Sequence, residues 1–228
     1  MILEIAAFSA GAAIRAAQLG AHRIELCYGY SNGGLTPTTA ALRAVKDSVD
    51  IPVFVMIRCR EGDFTYTQDE IQLMQHEITA LKHAGADGFV IGALNKNSTV
   101  DEQAIQHLLE CTKGLPVTFH RAFDAVPHHE EALDVFIRLG VQRVLTSGGE
   151  SNVDKGISNL KKWNELYSDK IILLPGGGVT SKNISRIKEN IGCKEFHSSA
   201  KGATIATAFG SNIEPDPEEM KILLHAIR

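Results

Sequence analysis

No stretch of this sequence approaches the ~18 uninterrupted apolar residues that a membrane-crossing helix needs. It has no block of lysine or arginine, and its net charge is −4. Nucleic acid is therefore not an expected partner. The opening residues, Met1-Ile2-Leu3-Glu4-Ile5, include an acid and no basic lead, so they read as a first strand rather than a signal peptide. Cysteine is scarce: the four, at positions 27, 59, 111 and 193, show no Cys-x-x-Cys spacing. That excludes a disulfide framework and points to reduced thiols in a cytoplasmic protein. Cys111 and Cys193 fall at packing positions on or near helices. There is no nucleophile-elbow serine motif, no low-complexity tract and no linker. With 228 residues, the chain fits one compact domain over residues 1–228.

What is present is a repeated punctuation. Four times a helix-like stretch ends on glycine, two residues pass, and a strand-like run begins. This happens at Gly20, Gly85, Gly140 and Gly192. Glycine supplies the left-handed conformation that stops a helix. Two more strands follow Pro52 and Pro116. Strands are expected at 3–8, 23–27, 53–58, 88–94, 117–122, 143–147, 171–174 and 195–199. Helix starts are expected at Ser9, at Thr36-Pro37, at Thr67 and near Asp101, with a closing helix over about 216–227. Strands and helices alternating at a spacing of ~25 to 35 residues make parallel βα units, and eight of them make an α/β fold closed as a (β/α)8 TIM barrel. Such a barrel keeps its chemistry at the C-terminal ends of its strands.

Parallel barrel strands are normally runs of Val, Ile and Leu. Here Glu4, Glu25, Arg58, His120, Arg121 and His197 interrupt them. Buried charge must pair or meet a ligand. One reading is an ion network that plugs the barrel. The other is a catalytic rim, because most of these residues, with Asp124 just beyond them, crowd toward C-terminal strand ends. Glu4 lies early in its strand and suits support of an arginine as well as catalysis. Alternation places Glu25 with Cys27 and His197 with Ser199, and sends His120 and Arg121 to opposite faces if their strand stays regular. The catalytic candidates are Glu25, Arg58, His120, Arg121, Asp124 and His197. For an anion, Arg58, Arg60 and Arg121 offer guanidinium groups. Gly177, Gly178 and Ser199, with Lys201 nearby, form the loops after strands seven and eight, where barrels often bind phosphate. Cys27 and Cys59 end neighbouring strands, and two thiolates there would suit Cu(I). His128 and His129 are adjacent and expected in solvent.

Certain strings go further. Arg23-Ile24-Glu25-Leu26-Cys27, Gly33-Gly34-Leu35-Thr36-Pro37, Ile57-Arg58-x-Arg60, Thr118-Phe119-His120-Arg121-Ala122-Phe123-Asp124 and Phe196-His197-Ser198-Ser199-Ala200 resemble, in order over about residues 2–202, the CutC family of copper homeostasis proteins. The resemblance implies a cytoplasmic, oligomeric TIM barrel with a copper-handling label. Copper is attributed to cysteines in some members, and no agreed reaction comes with the label. Cys27 matches the family string, whereas Cys59 stands where the family usually has proline. Two functions follow: copper homeostasis with Cu(I) at Cys27 and Cys59, or an enzyme acting on a small anionic or phosphorylated metabolite at the rim.

Overall fold

The computed structural model describes residues 1–202, 205–207 and 210–228. Eight parallel strands alternate with helices. They are β1 (Ile2–Ala7), β2 (Arg23–Leu26), β3 (Val53–Met56), β4 (Gly88–Ile91), β5 (Val117–Phe119), β6 (Arg143–Thr146), β7 (Ile172–Pro175) and β8 (Glu195–Ser198). The helices are α1 (Ala10–Gln18), α2 (Thr39–Lys46), α3 (Gln68–His83), α4 (Glu102–Thr112), α5 (His129–Leu139), α6 (Ile157–Tyr167), α7 (Ile184–Ile191) and α8 (Pro217–Ala226). The sheet runs β7-β6-β5-β4-β3-β2-β1-β8, a nearly closed TIM barrel whose seam lies between β7 and β8. A short antiparallel pair, β9 (Ile205–Thr207) and β10 (Gly210–Asn212), sits in the chain between β8 and α8. Among the described residues, no helix is long and apolar enough to cross a membrane.

The helix punctuation works as expected. Gly20, Gly85, Gly140 and Gly192 all have φ between 76° and 100°. Ser9 and Asp101 cap α1 and α4, and Thr67 with Glu70 forms a capping box on α3. Three expectations shift. β4, expected to run to residue 94, ends at Ile91. Pro37 lies outside α2, which starts at Thr39 under a Thr38 cap. β5 stops at Phe119, well short of residue 122, because the His120 ring accepts a hydrogen bond from the Ala122 N–H and caps a 3-10 turn, Arg121–Ala125. His120 and Arg121 are therefore not split between opposite faces. The turn brings both to the barrel mouth.

Strand alternation divides the interior in two. Leu3, Ile5, Ile24, Leu26, Val53, Val55, Phe89, Phe119 and Phe196 face outward and pack with the helices as the main core. Phe54, Met56, Val90 and Cys27 form a small apolar cluster inside the barrel. The other inward positions carry charge. The register puts Glu4 level with Arg23 on one side and His197 on the other. Arg23 Nε donates to Glu4 and Arg23 Nη2 to Glu195, each at 2.5 Å, and Arg143 Nε donates to Glu195 at 2.7 Å. Both guanidinium groups also lie over the Phe54 ring, at 4.9 and 5.4 Å. A network of paired charges closes the floor of the barrel, with Arg143 Nη1 its one unpartnered nitrogen. Removing one member leaves a buried charge without its partner. Arg23→Met should lower unfolding stability by about 3–5 kcal/mol in a urea titration. Arg186→Ala, which breaks an exposed pair with Asp154, should cost about 1 kcal/mol or less. Equal effects would contradict the account of the floor.

Candidate functional site at the barrel mouth

Above this floor the interior opens. An inner cavity of about 150 Å³ has apolar walls of Phe8, Met56, Phe64 and Leu145. Glu25, Cys27, Arg58, His120, Arg121 and His197 supply its polar lining. An outer basin of about 370 Å³ is lined by Tyr30, Gly177, Gly178, Ser199 and Lys201. Phe8, Arg121 and His197 belong to the walls of both, so the two spaces adjoin.

Three buried polar atoms of the inner cavity's lining have no hydrogen-bond partner: Glu25 Oε1, His120 Nε2 and Arg58 Nε. Buried polar groups are almost always bonded, so such atoms need an explanation. His120 Nδ1 accepts from Ala122 N–H, so the proton of the neutral ring sits on Nε2. Burial, and then the charge of Arg58, push the His120 pKa down to about 3. The ring therefore stays neutral near pH 7. Gly92 makes room for it, since a Cβ there would run into the His120 ring. Glu25 goes the other way. Burial raises its carboxyl, the charge of His197 opposes this, and Glu4 adds to it, leaving a value of about 7.

Glu4 is wholly buried. Burial alone would raise its carboxyl, but the hydrogen bond from His197 and the guanidinium of Arg23 hold it at about 2. His197 Nδ1 lies 2.7 Å from Glu4 Oε1, and Nε2 lies 3.7 Å from Glu25 Oε2. Burial disfavours the imidazolium, yet the two carboxylates raise its pKa above the ordinary histidine value.

The other residues singled out from sequence take varied places. Arg58 lines the inner cavity, but its Nη atoms donate to the carbonyls of Asn32, Gly34 and Gly62. It ties two rim loops together, and only its Nε is unpartnered. Arg121 donates from Nε to Asp124 at 2.8 Å and from Nη2 to Ser147 at 2.8 Å. Gly177 lies so close that a Cβ on it would be 2.9 Å from the guanidinium carbon. Asp124 also accepts from the Thr146 hydroxyl and from the Ser147 and Gly149 N–H groups. It holds the turn after β5 to the end of β6 and aims Arg121. Arg60 is not brought into the site. It lies outside both cavities and pairs with Glu70 and Asp63.

Cys27 and Cys59 are not brought together either. Cys27 is inside the barrel, while Cys59 packs against the outer core near Glu70 and Glu77 of α3. Burial, then the charge of Glu25, push the Cys27 thiol well above its usual range. Among the described residues, no three His, Cys, Asp or Glu side chains gather as a metal site. His129 is not the solvated residue expected. Its ring stacks on Trp163 at 4.8 Å and meets Phe123 edge-on.

Arg23, Arg143 and Glu195 were missed in the sequence reading. A signal for them exists: each opens a strand three residues after a helix-ending glycine. Phe8, Phe64 and Met56 gave no signal, because apolar residues look alike whichever side of the sheet they face.

Comparison with known proteins agrees with the strings noted in the sequence. The sequence model of the CutC family matches residues 1–202. The human copper homeostasis protein cutC homolog is 46% identical over 200 residues, 88% of this chain and 73% of that protein. A family protein CutC of Xanthomonas campestris is 38% identical over 206 residues, 90% of this chain and 86% of that one. A solved structure named copper homeostasis protein CutC, from Streptococcus agalactiae, is 31% identical. It superposes with a TM-score of 0.83 over 87% of this chain and 98% of its own. On its motifs, its barrel and these likenesses, the chain belongs to the CutC family of copper homeostasis proteins.

Proposed function

We propose that the mouth of this barrel is an active site that moves a proton on a small anionic metabolite bearing a carbonyl group, and that the whole chain serves as one catalytic barrel domain. The observation that carries this reading is the pair of unpartnered buried atoms, Glu25 Oε1 and His120 Nε2, in the lining of one cavity. A carboxylate there is a base, and a neutral N–H donor is what a carbonyl oxygen needs as it gains negative charge. A titration near pH 7 suits Glu25 to that task. The apolar walls exclude water from the reacting atoms. Arg121 holds the anionic end at the junction of the two spaces, and Gly177, Gly178, Ser199 and Lys201 offer backbone and ammonium N–H groups in the basin.

The test uses a panel of short-chain 2-oxo acids and sugar phosphates in deuterated water. The protein should exchange a C–H proton next to the carbonyl of at least one compound, read by proton NMR. Glu25→Gln should slow that exchange about 100-fold or more, and His120→Ala should slow it about 100-fold. Undiminished exchange in Glu25→Gln would overturn the reading.

The anion seat is checked separately. Phosphate should raise the melting temperature of the wild-type protein above that in sodium chloride of equal ionic strength, and Arg121→Gln should remove the difference. Equal stabilisation by the two salts would empty the basin of an anion role.

The family name makes copper a candidate cargo. The residues present do not fit a two-thiolate Cu(I) site, because the sheet separates Cys27 from Cys59 and burial keeps Cys27 protonated. The double variant Cys27→Ser/Cys59→Ser should keep the wild-type Cu(I) affinity in an anaerobic chelator competition. A clear loss would restore the cysteines to a copper role.

A further inference from the structure

Glu25 and His120 line only the inner cavity, but the His197 ring is part of the wall of both. Its orientation is fixed from behind. β1 lies between β2 and β8, so Glu4 stands level with His197 and takes its Nδ1. A ring held through Nδ1 presents Nε2 as its working nitrogen. That nitrogen is 3.7 Å from Glu25 Oε2, the carboxylate oxygen other than the unpartnered one. Glu25 thus has one oxygen without a geometric hydrogen-bond partner and the other turned to an imidazole, with the Cys27 thiol beside the carboxylate.

Several charged groups surround His197, with Lys201 and Glu219 sharing the wall of the outer basin with it. Glu4 comes from β1, Glu25 and Arg23 from β2, and Arg121 from the turn after β5. Arg23 is engaged with Glu4 and Glu195. Just after β7, Gly176 approaches, where a Cβ would lie 3.3 Å from the His197 Cβ.

We propose that His197 and Glu25 form a proton-exchanging pair, with His197 the second proton-transfer residue of the site and Glu4 its positioning residue. For its substrate this rests on the proton-transfer reading above, while the pair itself rests on the geometry of Glu4, His197 and Glu25. The reaction is then a 1,3-proton shift between carbon and a carbonyl oxygen. Glu25 takes the C–H proton on Oε1, and the electron pair moves through the carbon–carbon bond to the oxygen. His120 Nε2–H holds that oxygen and keeps its own proton. The His197 imidazolium gives its Nε2 proton to the oxygen, making the enol, and becomes neutral. The proton on Glu25 then passes to His197 Nε2, which restores both groups. No oxidant, reductant or further reactant is needed.

The experiment has two arms. In the first, nitrogen-15 NMR follows the histidine rings through a pH titration without ligand. His197 should keep its proton on Nδ1 throughout. The near-isosteric Glu25→Gln should move its Nε2 titration down by about one unit or more. A titration untouched by Glu25→Gln, or an unprotonated Nδ1, would overturn the pair.

The second arm follows the pH profile of C–H exchange on the same 2-oxo acid and sugar phosphate panel. His197→Gln should slow exchange about 10-fold or more. Glu4→Gln should move the His197 limb of the profile to lower pH, and Glu4→Asp should return it toward wild type. If exchange proceeds with rate and profile unchanged in His197→Gln and Glu4→Gln, the pair falls and the Glu25–His120 reading stands. If the wild-type protein exchanges nothing on the panel but the NMR coupling is present, the carbonyl reading falls and the pair stands.

Discussion

One carboxylate at the centre of the barrel, Glu4, settles how the rest of the interior is arranged. It is fully buried, and it stays ionised only because Arg23 and His197 reach it from the two neighbouring strands. Those reaches depend on register: Glu4 is level with both residues. The demand for pairing then spreads. Arg23 also needs Glu195, Glu195 needs Arg143, and both guanidinium groups lean on the Phe54 ring. A barrel plugged with ions at its floor can leave the space above it open, because each lower charge already has an opposite charge beside it. Glu25 and His120 keep one unpartnered atom each, at the level where barrels present their chemistry.

The ion-network reading of the charged strand residues holds at the floor, and the proposed catalytic rim lies above it. Glu4 and His197 join them, since Glu4 belongs to the network and His197 to the walls of both cavities. Arg58 and Asp124, charged as they are, serve mainly to hold loops. Arg58 bonds three backbone carbonyls across two rim loops, and Asp124 gathers the end of β6. Their work is to keep the cavity shaped.

Much of this was legible in the sequence. The helix-ending glycines, the Thr67 cap and the charged interruptions all act through local rules, and local rules read well from a string. The failures come from side chains that take unexpected partners and from geometry between strands. β5 ends early because a side chain, His120, competes for a backbone N–H, and alternation arguments assume that no side chain does so. Cys59 was matched with Cys27 because both follow strand ends. Yet Arg58 points inward, so its neighbour Cys59 must face the helices; the alternation that placed Glu25 with Cys27 already forbade the pairing. Arg60 was grouped with Arg58 and Arg121 by charge, but Glu70 of the following helix claims it. Arg23, Arg143 and Glu195 went unnoticed because a charge at the first position of a strand looks exposed until the register shows what lies opposite.

The central claim is that Glu25 Oε1 and His120 Nε2 are unpartnered because a ligand belongs between them. A high-resolution crystal structure of protein purified directly from cells, or soaked with whichever panel compound it exchanges, tests this most directly. The account predicts density for one small molecule, with an oxygen at hydrogen-bond distance from His120 Nε2 and a carbon facing Glu25 Oε1. A structure in which Glu25 and His120 instead bond to other protein groups, with no ligand reaching either atom, would contradict it.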